Sequence, residues 1–166
     1  MKKTIKPIAA LAPCPVAMVS CGSLEKSNIL TISWAGIISS EPTIVYVSVR
    51  PSRYSYEMLK ETGEFVINLP TRAQVKQADL CGTKSGKEMD KFKECPINLE
   101  CKVQEIKDFG THQTFIAEVV SINADEELVD ENGSILFEKA DLISFAGKKY
   151  FATNEVVGYR GICLEE

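Results

Sequence analysis

Three short apolar segments follow one another near the start of the chain, and the spacing between them limits the possible folds. Residues 16–21, 28–34 and 43–49 are rich in apolar and β-branched side chains, and each is predicted to form a strand. The connections between them are too short for the crossover that parallel strands require. The sequence therefore predicts antiparallel strands here, rather than a parallel sheet that alternates with helices.

The third of these segments has a clear two-residue alternation. Val45, Val47 and Val49 share one face of the predicted strand, whereas Tyr46, Ser48 and Arg50 share the other. The first face is predicted to lie in the core and the second to line a site or an interface. Further strands are predicted at residues 64–68, 101–106, 111–122, 142–145 and 149–152.

Helix-start and helix-stop residues predict two helices between these strands. Ser52 is an N-cap candidate for a helix over residues 53–61 that Gly63 ends. Thr71 and Gln74 have the spacing of a capping box, which predicts a second helix that ends at Gly82. Many short strands and two helices within 166 residues predict one domain, residues 1–166, that is mainly β and closes into a β-barrel.

The charge balance and the N-terminus bear on partners and on localisation. The formal net charge of −4, from 19 basic and 23 acidic residues, gives no support to binding of nucleic acid or of an anionic membrane. Met1-Lys2-Lys3 before an apolar run is similar to a secretion signal, but Lys6 interrupts the run and three prolines follow within the next ten residues. We expect a cytoplasmic protein.

The cysteines and the single histidine do not form a recognisable metal or triad pattern. The chain has six cysteines without a C-x-x-C pair, so most of them are predicted to be small buried residues or incidental thiols. His112 is the only histidine, so a zinc site is poorly supported. No carboxylate lies beside it in sequence, and no catalytic acid, base or nucleophile is assigned.

Basic and hydroxyl side chains cluster between the third strand and the first helix. Arg50, Ser52, Arg53 and Ser55 lie around the predicted helix N-terminus, where free backbone N–H groups favour an anion and arginines add bidentate donors. The combination predicts a phosphate site, and the alternative is an ordinary N-cap with solvated arginines. The glycine-rich patterns of Walker and Rossmann nucleotide sites are absent from the sequence.

A second polar group lies on the predicted strand over residues 28–34. Asn28, Thr31 and Ser33 interrupt its apolar residues and need hydrogen-bond partners, which either a ligand or the protein itself supplies. Trp34 is either part of this site or an aromatic of the core or of a dimer interface. Lys91 lies in a lysine-rich loop and is either a phosphate ligand or solvated.

These features occur in the order seen in the flavin reductase-like split-barrel family, which the chain resembles over about residues 8–162. The shared marks are Asn28-x-x-Thr31-x-Ser33-Trp34, Glu41-Pro42, Arg50-Pro51-Ser52-Arg53-x-Ser55, residues 63–70, Ser85-Gly86 with Asp90-Lys91-Phe92, His112 before residues 113–120, and Gly158-Tyr159-Arg160-Gly161. The chain departs from the family in having Ser55 where threonine is frequent and Ala117 where glycine is usual. Residues 144–152 are only loosely similar to the family.

The resemblance implies a split β-barrel homodimer that holds FMN near the subunit interface. It implies phosphate or ribityl contacts from Asn28, Ser52, Arg53 and Ser55, with Arg50 beside them. It places Thr31, Ser33 and Trp34 alongside the isoalloxazine, with Tyr159 near the ring. It makes Lys91 and His112 further FMN contacts, either from the same subunit or from the neighbouring one.

Three functions are compatible with these patterns. The first is an FMN-dependent oxidoreductase that passes electrons from a reduced nicotinamide to flavin or to another acceptor. The second is a flavoredoxin-type electron carrier between protein partners, without its own nicotinamide oxidation. The third is a binding or structural domain without a cofactor, against which the predicted phosphate site argues.

Overall fold

The computed structural model of the chain describes residues 1–86, 95–160 and 162–164. Among these residues the strands and α-helices are β1 (Cys14–Pro15), β2 (Ala17–Gly22), β3 (Ser27–Ile32), β4 (Ala35–Ser40), β5 (Thr43–Val49), α1 (Ser55–Thr62), β6 (Glu64–Leu69), α2 (Val75–Thr83), β7 (Ile97–Asp108), β8 (Gln113–Ala124), β9 (Ile143–Ala146) and β10 (Lys149–Ala152). No helix of the described residues is long and apolar enough to cross a membrane.

The strands form two sheets in which neighbouring strands are antiparallel. The larger sheet has seven strands in the order β3-β2-β6-β7-β8-β5-β4, and the smaller has three in the order β1-β9-β10. β3 and β5 contact each other without pairing, so the larger sheet curls back on itself. The predictions of a mainly β fold and of antiparallel first strands are confirmed.

The hairpin of β2 and β3 is apolar on both faces because it separates two hydrophobic clusters. Ala17, Val19 and Leu30 point into the main core, which the curled sheet and α1 enclose. Met18 and Ile29 point the other way, into a second cluster shared with α2 and β9. The alternation predicted for β5 is also confirmed, because its three valines are buried in the main core.

The structure around Trp34 differs from the prediction in two ways. The strand predicted over residues 28–34 ends at Ile32, and the chain bends at Ser33 before β4 begins at Ala35. β4 itself was not predicted, because Ala-Gly-Ile-Ile-Ser-Ser has no regular alternation. β4 pairs with β5, with a bulge in β4 between Ile37 and Ser39. It is the last strand of the larger sheet and forms one of its edges.

The helix predictions are correct in existence and partly wrong in their bounds. α1 starts at Ser55 after Tyr54, so Ser52 is not its N-cap. The reason is a turn, since the Arg53 N–H donates to the Arg50 carbonyl at 3.0 Å before the helix starts. Gly63 ends α1 as predicted, with φ of 65°.

The second helix begins as the capping-box pattern predicts. The Thr71 N–H donates to the Gln74 side-chain oxygen at 2.9 Å, and the chain passes through one 3-10 turn into α2. α2 packs on β3 and the smaller sheet packs beside it, which places a cavity at the end of β3.

Candidate functional site

A cavity of about 370 Å³ lies where β3, β5, α2 and the smaller sheet meet. Its volume is in the range of small-molecule sites. Six of the sequence-predicted site residues line it, namely Thr31, Ser33, Trp34, Arg50, Arg53 and His112. Its wall is completed by Val16, Leu30, Ile32, Ser48, Val49, Asp79, Gly82, Thr83, Phe145, Lys148 and Tyr150.

The arginines reach the cavity from the turn that follows β5. Arg50 comes directly after the strand, and Arg53 extends to α2, where its Nη1 donates to the Gly82 carbonyl oxygen at 3.4 Å. Two guanidinium groups on one wall provide the planar, multidentate donors that suit phosphate. The arginine cluster predicted from the sequence therefore opens into the cavity.

Trp34 and His112 stack against each other at the cavity wall. Their ring centroids are 4.3 Å apart with a tilt of 39°. The Trp34 carbonyl accepts a hydrogen bond from the Ser48 N–H at 2.9 Å, which ties the residue to β5. With 42% of its surface exposed, Trp34 is a wall residue and not a core aromatic.

The charge state of His112 depends on the same arginines. Burial, followed by the positive charges of Arg50 and Arg53, lowers the pKa of His112 below its ordinary value of 6.5. Its Nδ1 lies 2.9 Å from the Thr111 hydroxyl oxygen. The imidazole is therefore mainly neutral at pH 7, and an anion bound beside it would favour its protonation.

Thr31 carries a buried polar atom without a partner. Its Oγ1 is enclosed but forms no hydrogen bond with any described residue. Buried hydroxyl groups are usually hydrogen-bonded, because leaving them unpaired costs about 1–3 kcal/mol. Gly82 packs close by, and a Cβ at that position would lie 3.4 Å from the Thr31 Cβ. Because Thr31 also lines the cavity, it is a candidate for contact with a ligand.

Asn28 and Ser55 lie outside the cavity wall and bind each other instead. The Asn28 side-chain amide donates to the Ser55 hydroxyl at 2.7 Å, and both residues are buried. Gly86 packs against this pair so closely that a Cβ there would collide with the Asn28 side chain. These two residues therefore fix β3, α1 and the segment after α2 that contains Gly86 relative to one another.

Two other predicted residues, Ser52 and Tyr159, lie away from the cavity wall. Ser52 is exposed on the turn before α1 and does not line the cavity. Tyr159 lies in the exposed C-terminal segment, with 54% of its surface accessible, and also does not line the cavity. Lys91 falls outside the described residues.

Sequence reasoning did not select several of the wall residues. Asp79 and Thr83 lie four residues apart on α2, a spacing that puts them on one helix face. Tyr150 comes from β10, and its hydroxyl donates to Asp79 Oδ1 at 3.1 Å. Burial and this carboxylate raise the pKa of Tyr150 to about 12. The helical spacing was visible in the sequence, but nothing local connected it to residues 50–53.

A second, more open cavity of about 730 Å³ lies elsewhere, along β2, β6 and β7. Its described wall includes Lys102, Glu64 and Glu100 but none of the predicted site residues. The described residues of this wall include no arginine and no stacked aromatic pair. We therefore assign the functional site to the smaller cavity.

None of the six cysteines, all of which lie in the described residues, forms a disulfide. Cys21, Cys81, Cys95 and Cys101 are buried. Burial raises the pKa of Cys95 to about 11 and that of Cys101 to about 12, so both stay as thiols near neutral pH. In the part of the chain that the structure describes, no group of three or more His, Cys, Asp or Glu side chains is arranged for a metal ion.

The fold and the cavity together define a class of β-barrel protein with an arginine-rich, aromatic-walled ligand site. A family model described as the flavin reductase like domain matches residues 10–150. The chain belongs to the flavin reductase-like family, and the resemblance inferred from its sequence motifs is confirmed.

Solved structures of similar fold extend over almost the whole chain. Flavoredoxin from Methanosarcina acetivorans has a TM-score of 0.90 at 26% identity, covering 99% of this chain and 100% of that one. Flavoredoxin of Desulfovibrio vulgaris has a TM-score of 0.90 at 28% identity with the same coverage. An FMN-binding protein from Thermus thermophilus shares the fold, with a TM-score of 0.81 at 23% identity. That match covers 96% of this chain and 99% of the other chain. The split-barrel prediction is confirmed.

Proposed function

We propose that the chain binds FMN in the smaller cavity and passes electrons through it to a second molecule. The observation that carries this proposal is the buried, unpartnered Thr31 hydroxyl in a wall that also holds Arg50 and Arg53. A flavin nucleotide supplies both a hydrogen-bonding ring and a phosphate, which are the groups these side chains accommodate. Membership of the flavin reductase-like family and the likeness to flavoredoxins support the same cofactor class.

The side chains of the cavity have separate roles in this proposal. Arg50 and Arg53 bind the phosphate, with His112 beside them. Thr31 and Ser33 hydrogen-bond the ligand at the end of β3, and Trp34 provides an aromatic wall. The buried Asn28–Ser55 pair holds β3 against α1 and so keeps these groups in place. FMN itself supplies the redox chemistry when it is bound.

Two electron-transfer functions remain candidates. In the first, a reduced nicotinamide is the donor, and electrons leave to free flavin or to another acceptor. In the second, favoured by the two flavoredoxin structures with TM-scores of 0.90, the protein carries electrons between protein partners. Oxidation of NADH or NADPH by the purified protein supports the first, whereas dependence on an added reductase supports the second.

The proposal is tested by the visible absorption spectrum of the purified protein, recorded with and without added FMN. We expect a flavin spectrum that is perturbed relative to free FMN and that stays with the protein through gel filtration. A folded protein that elutes colourless after incubation with FMN would contradict the proposal.

The arginines beside His112 predict how FMN affinity varies with pH. The free protein holds His112 with a lowered pKa, and a bound phosphate raises that pKa through its negative charge. The complex then binds more protons than the free protein, so affinity rises as the pH falls from about 8 towards about 6. We expect this rise in wild-type protein relative to His112→Gln, measured by flavin fluorescence titration.

The His112→Gln variant is needed because the FMN phosphate also titrates, with a second pKa of about 6, in both proteins. Subtracting the two pH profiles isolates the imidazole. Identical profiles would show that His112 does not sense the phosphate.

We also propose that the protein acts as a homodimer. β4 forms one edge of the larger sheet and exposes Ile37 and Ile38, and Phe109 is exposed at the turn between β7 and β8. Exposed edges with large apolar side chains favour association. Light scattering of the FMN-loaded protein should give twice the mass of the chain, and a stable monomer at micromolar concentration would contradict the proposal.

A further inference from the structure

The hairpin of β9 and β10 places a lysine in an uncommon backbone conformation at the cavity. The two strands are joined by Gly147 and Lys148 alone, with φ of 54° and 68° respectively. Two-residue turns of this kind favour glycine, asparagine or aspartate, since a positive φ crowds other side chains. Lys148 nevertheless occupies the second position and lines the cavity. Such conformations often mark functional positions.

The hairpin is fastened to the cavity wall by Tyr150. The Tyr150 hydroxyl donates to Asp79 Oδ1 at 3.1 Å, and its ring packs edge-on against Phe145 with centroids 5.2 Å apart. Because the pKa of Tyr150 is about 12, the phenol keeps its proton and this hydrogen bond through the neutral range. Lys148 therefore lies two residues before Tyr150, whose position is fixed by these contacts.

One face of α2 contacts both Tyr150 and Arg53. Asp79 lies one turn before Gly82 on α2, and the Gly82 carbonyl accepts the hydrogen bond from Arg53. Lys148 and Arg53 thus approach one cavity from two elements that both rest on α2. Lys148 is exposed, lines the cavity and forms no ion pair with any described residue.

The cavity is cationic although the chain is acidic. Among the described residues, its wall carries Arg50, Arg53 and Lys148 against one carboxylate, that of Asp79, whereas the whole chain has a net charge of −4. The negative charge of Asp79 is partly offset, because its carboxylate accepts a hydrogen bond from the Tyr150 hydroxyl. The remaining excess of positive charge suits an anionic ligand.

We propose that Lys148 binds an anionic oxygen of the flavin nucleotide directly, and that Tyr150 and Asp79 position it for that contact. The inference rests on the proposed binding of FMN. The anionic oxygen belongs either to the phosphate or to the flavin ring, which gains negative charge on reduction, and the two sources are separated by experiment.

The first experiment compares Lys148→Met with Lys149→Met, a matched control on the same hairpin that is exposed and does not line the cavity. Dissociation constants for FMN and riboflavin and the midpoint potential of bound FMN are measured for both. Loss of a charge-assisted contact weakens the affected state about tenfold, and Lys148→Arg should restore most of it.

The pattern of losses identifies the oxygen. If Lys148 binds the phosphate, FMN affinity falls about tenfold and riboflavin affinity is unchanged. If it binds the ring, oxidised affinities are retained and the midpoint potential falls by about 30 mV, which is a tenfold effect for two electrons. If affinities and potential all match those of Lys149→Met, the inference is overturned. A wild-type protein that binds neither flavin would instead overturn the proposed function.

The second experiment tests the positioning role with Tyr150→Phe, which removes the hydrogen bond to Asp79 and keeps the ring. We expect Tyr150→Phe to reproduce part of the Lys148→Met loss in wild-type protein and to add nothing in the Lys148→Met background. Losses that simply add would show that Tyr150 does not act through Lys148. Thermal unfolding of each variant confirms that the compared proteins are folded.

Discussion

Replacing Arg50 and Arg53 together by methionine is expected to weaken FMN binding by at least about 100-fold. In the proposed complex each arginine donates charge-assisted hydrogen bonds to the phosphate. Such bonds are worth about 1.5–3 kcal/mol, and about 1.4 kcal/mol corresponds to a factor of ten. Both side chains line the cavity, so their effects fall on the same ligand. Flavin fluorescence titration at two salt concentrations measures the loss and its electrostatic part.

The comparison with riboflavin makes this expectation specific. Because riboflavin has no phosphate, its affinity should change little in the double variant. Arg72→Met is the matched control, since Arg72 pairs with Asp141 at 3.0 Å and does not line the cavity. If the affinities for FMN and riboflavin fell equally, the arginines would contact the flavin ring or stabilise the fold, and would not bind the phosphate.

Replacing Phe115 by alanine is expected to lower the free energy of unfolding by about 3–5 kcal/mol, because a buried aromatic side chain leaves a cavity that neighbours fill only in part. Phe115 lies on β8 with 0% of its surface exposed. Its ring packs edge-on against Tyr56 of α1, with centroids 6.0 Å apart. Urea denaturation, followed by far-ultraviolet circular dichroism, measures the change.

A matched phenylalanine separates burial from residue type. Phe137 lies in a short 3-10 turn with 55% of its surface exposed. Phe137→Ala should therefore change the free energy of unfolding by less than about 0.5 kcal/mol. Similar losses in the two variants would mean that Phe115 does not anchor the main core.

Local patterns determined most of the secondary structure. The alternation of Val45, Val47 and Val49 predicted the buried face of β5, and the short spacing of the first strands predicted antiparallel pairing. The capping box at Thr71 and the stop at Gly63 were also readable, because these signals depend on backbone groups within a few residues.

The errors lie where tertiary contacts outweigh local preference. β4 has no strand pattern of its own and exists because its backbone pairs with β5. Ser52 has the right chemistry for an N-cap, but the turn at Arg50–Arg53 moves the helix start to Ser55. Neither outcome is encoded within the segment concerned.

The sequence by itself identified part of the site, since Arg50, Arg53 and Thr31 occur in motifs that resemble those of the flavin reductase-like family. Only the tertiary structure decided which of them meet. It turned Asn28 and Ser55 towards each other, and it brought Lys148 and Tyr150 from the smaller sheet onto the cavity wall. The physical reason is that hydrogen bonds and burial between distant segments depend on how sheets and helices pack, which no local pattern records.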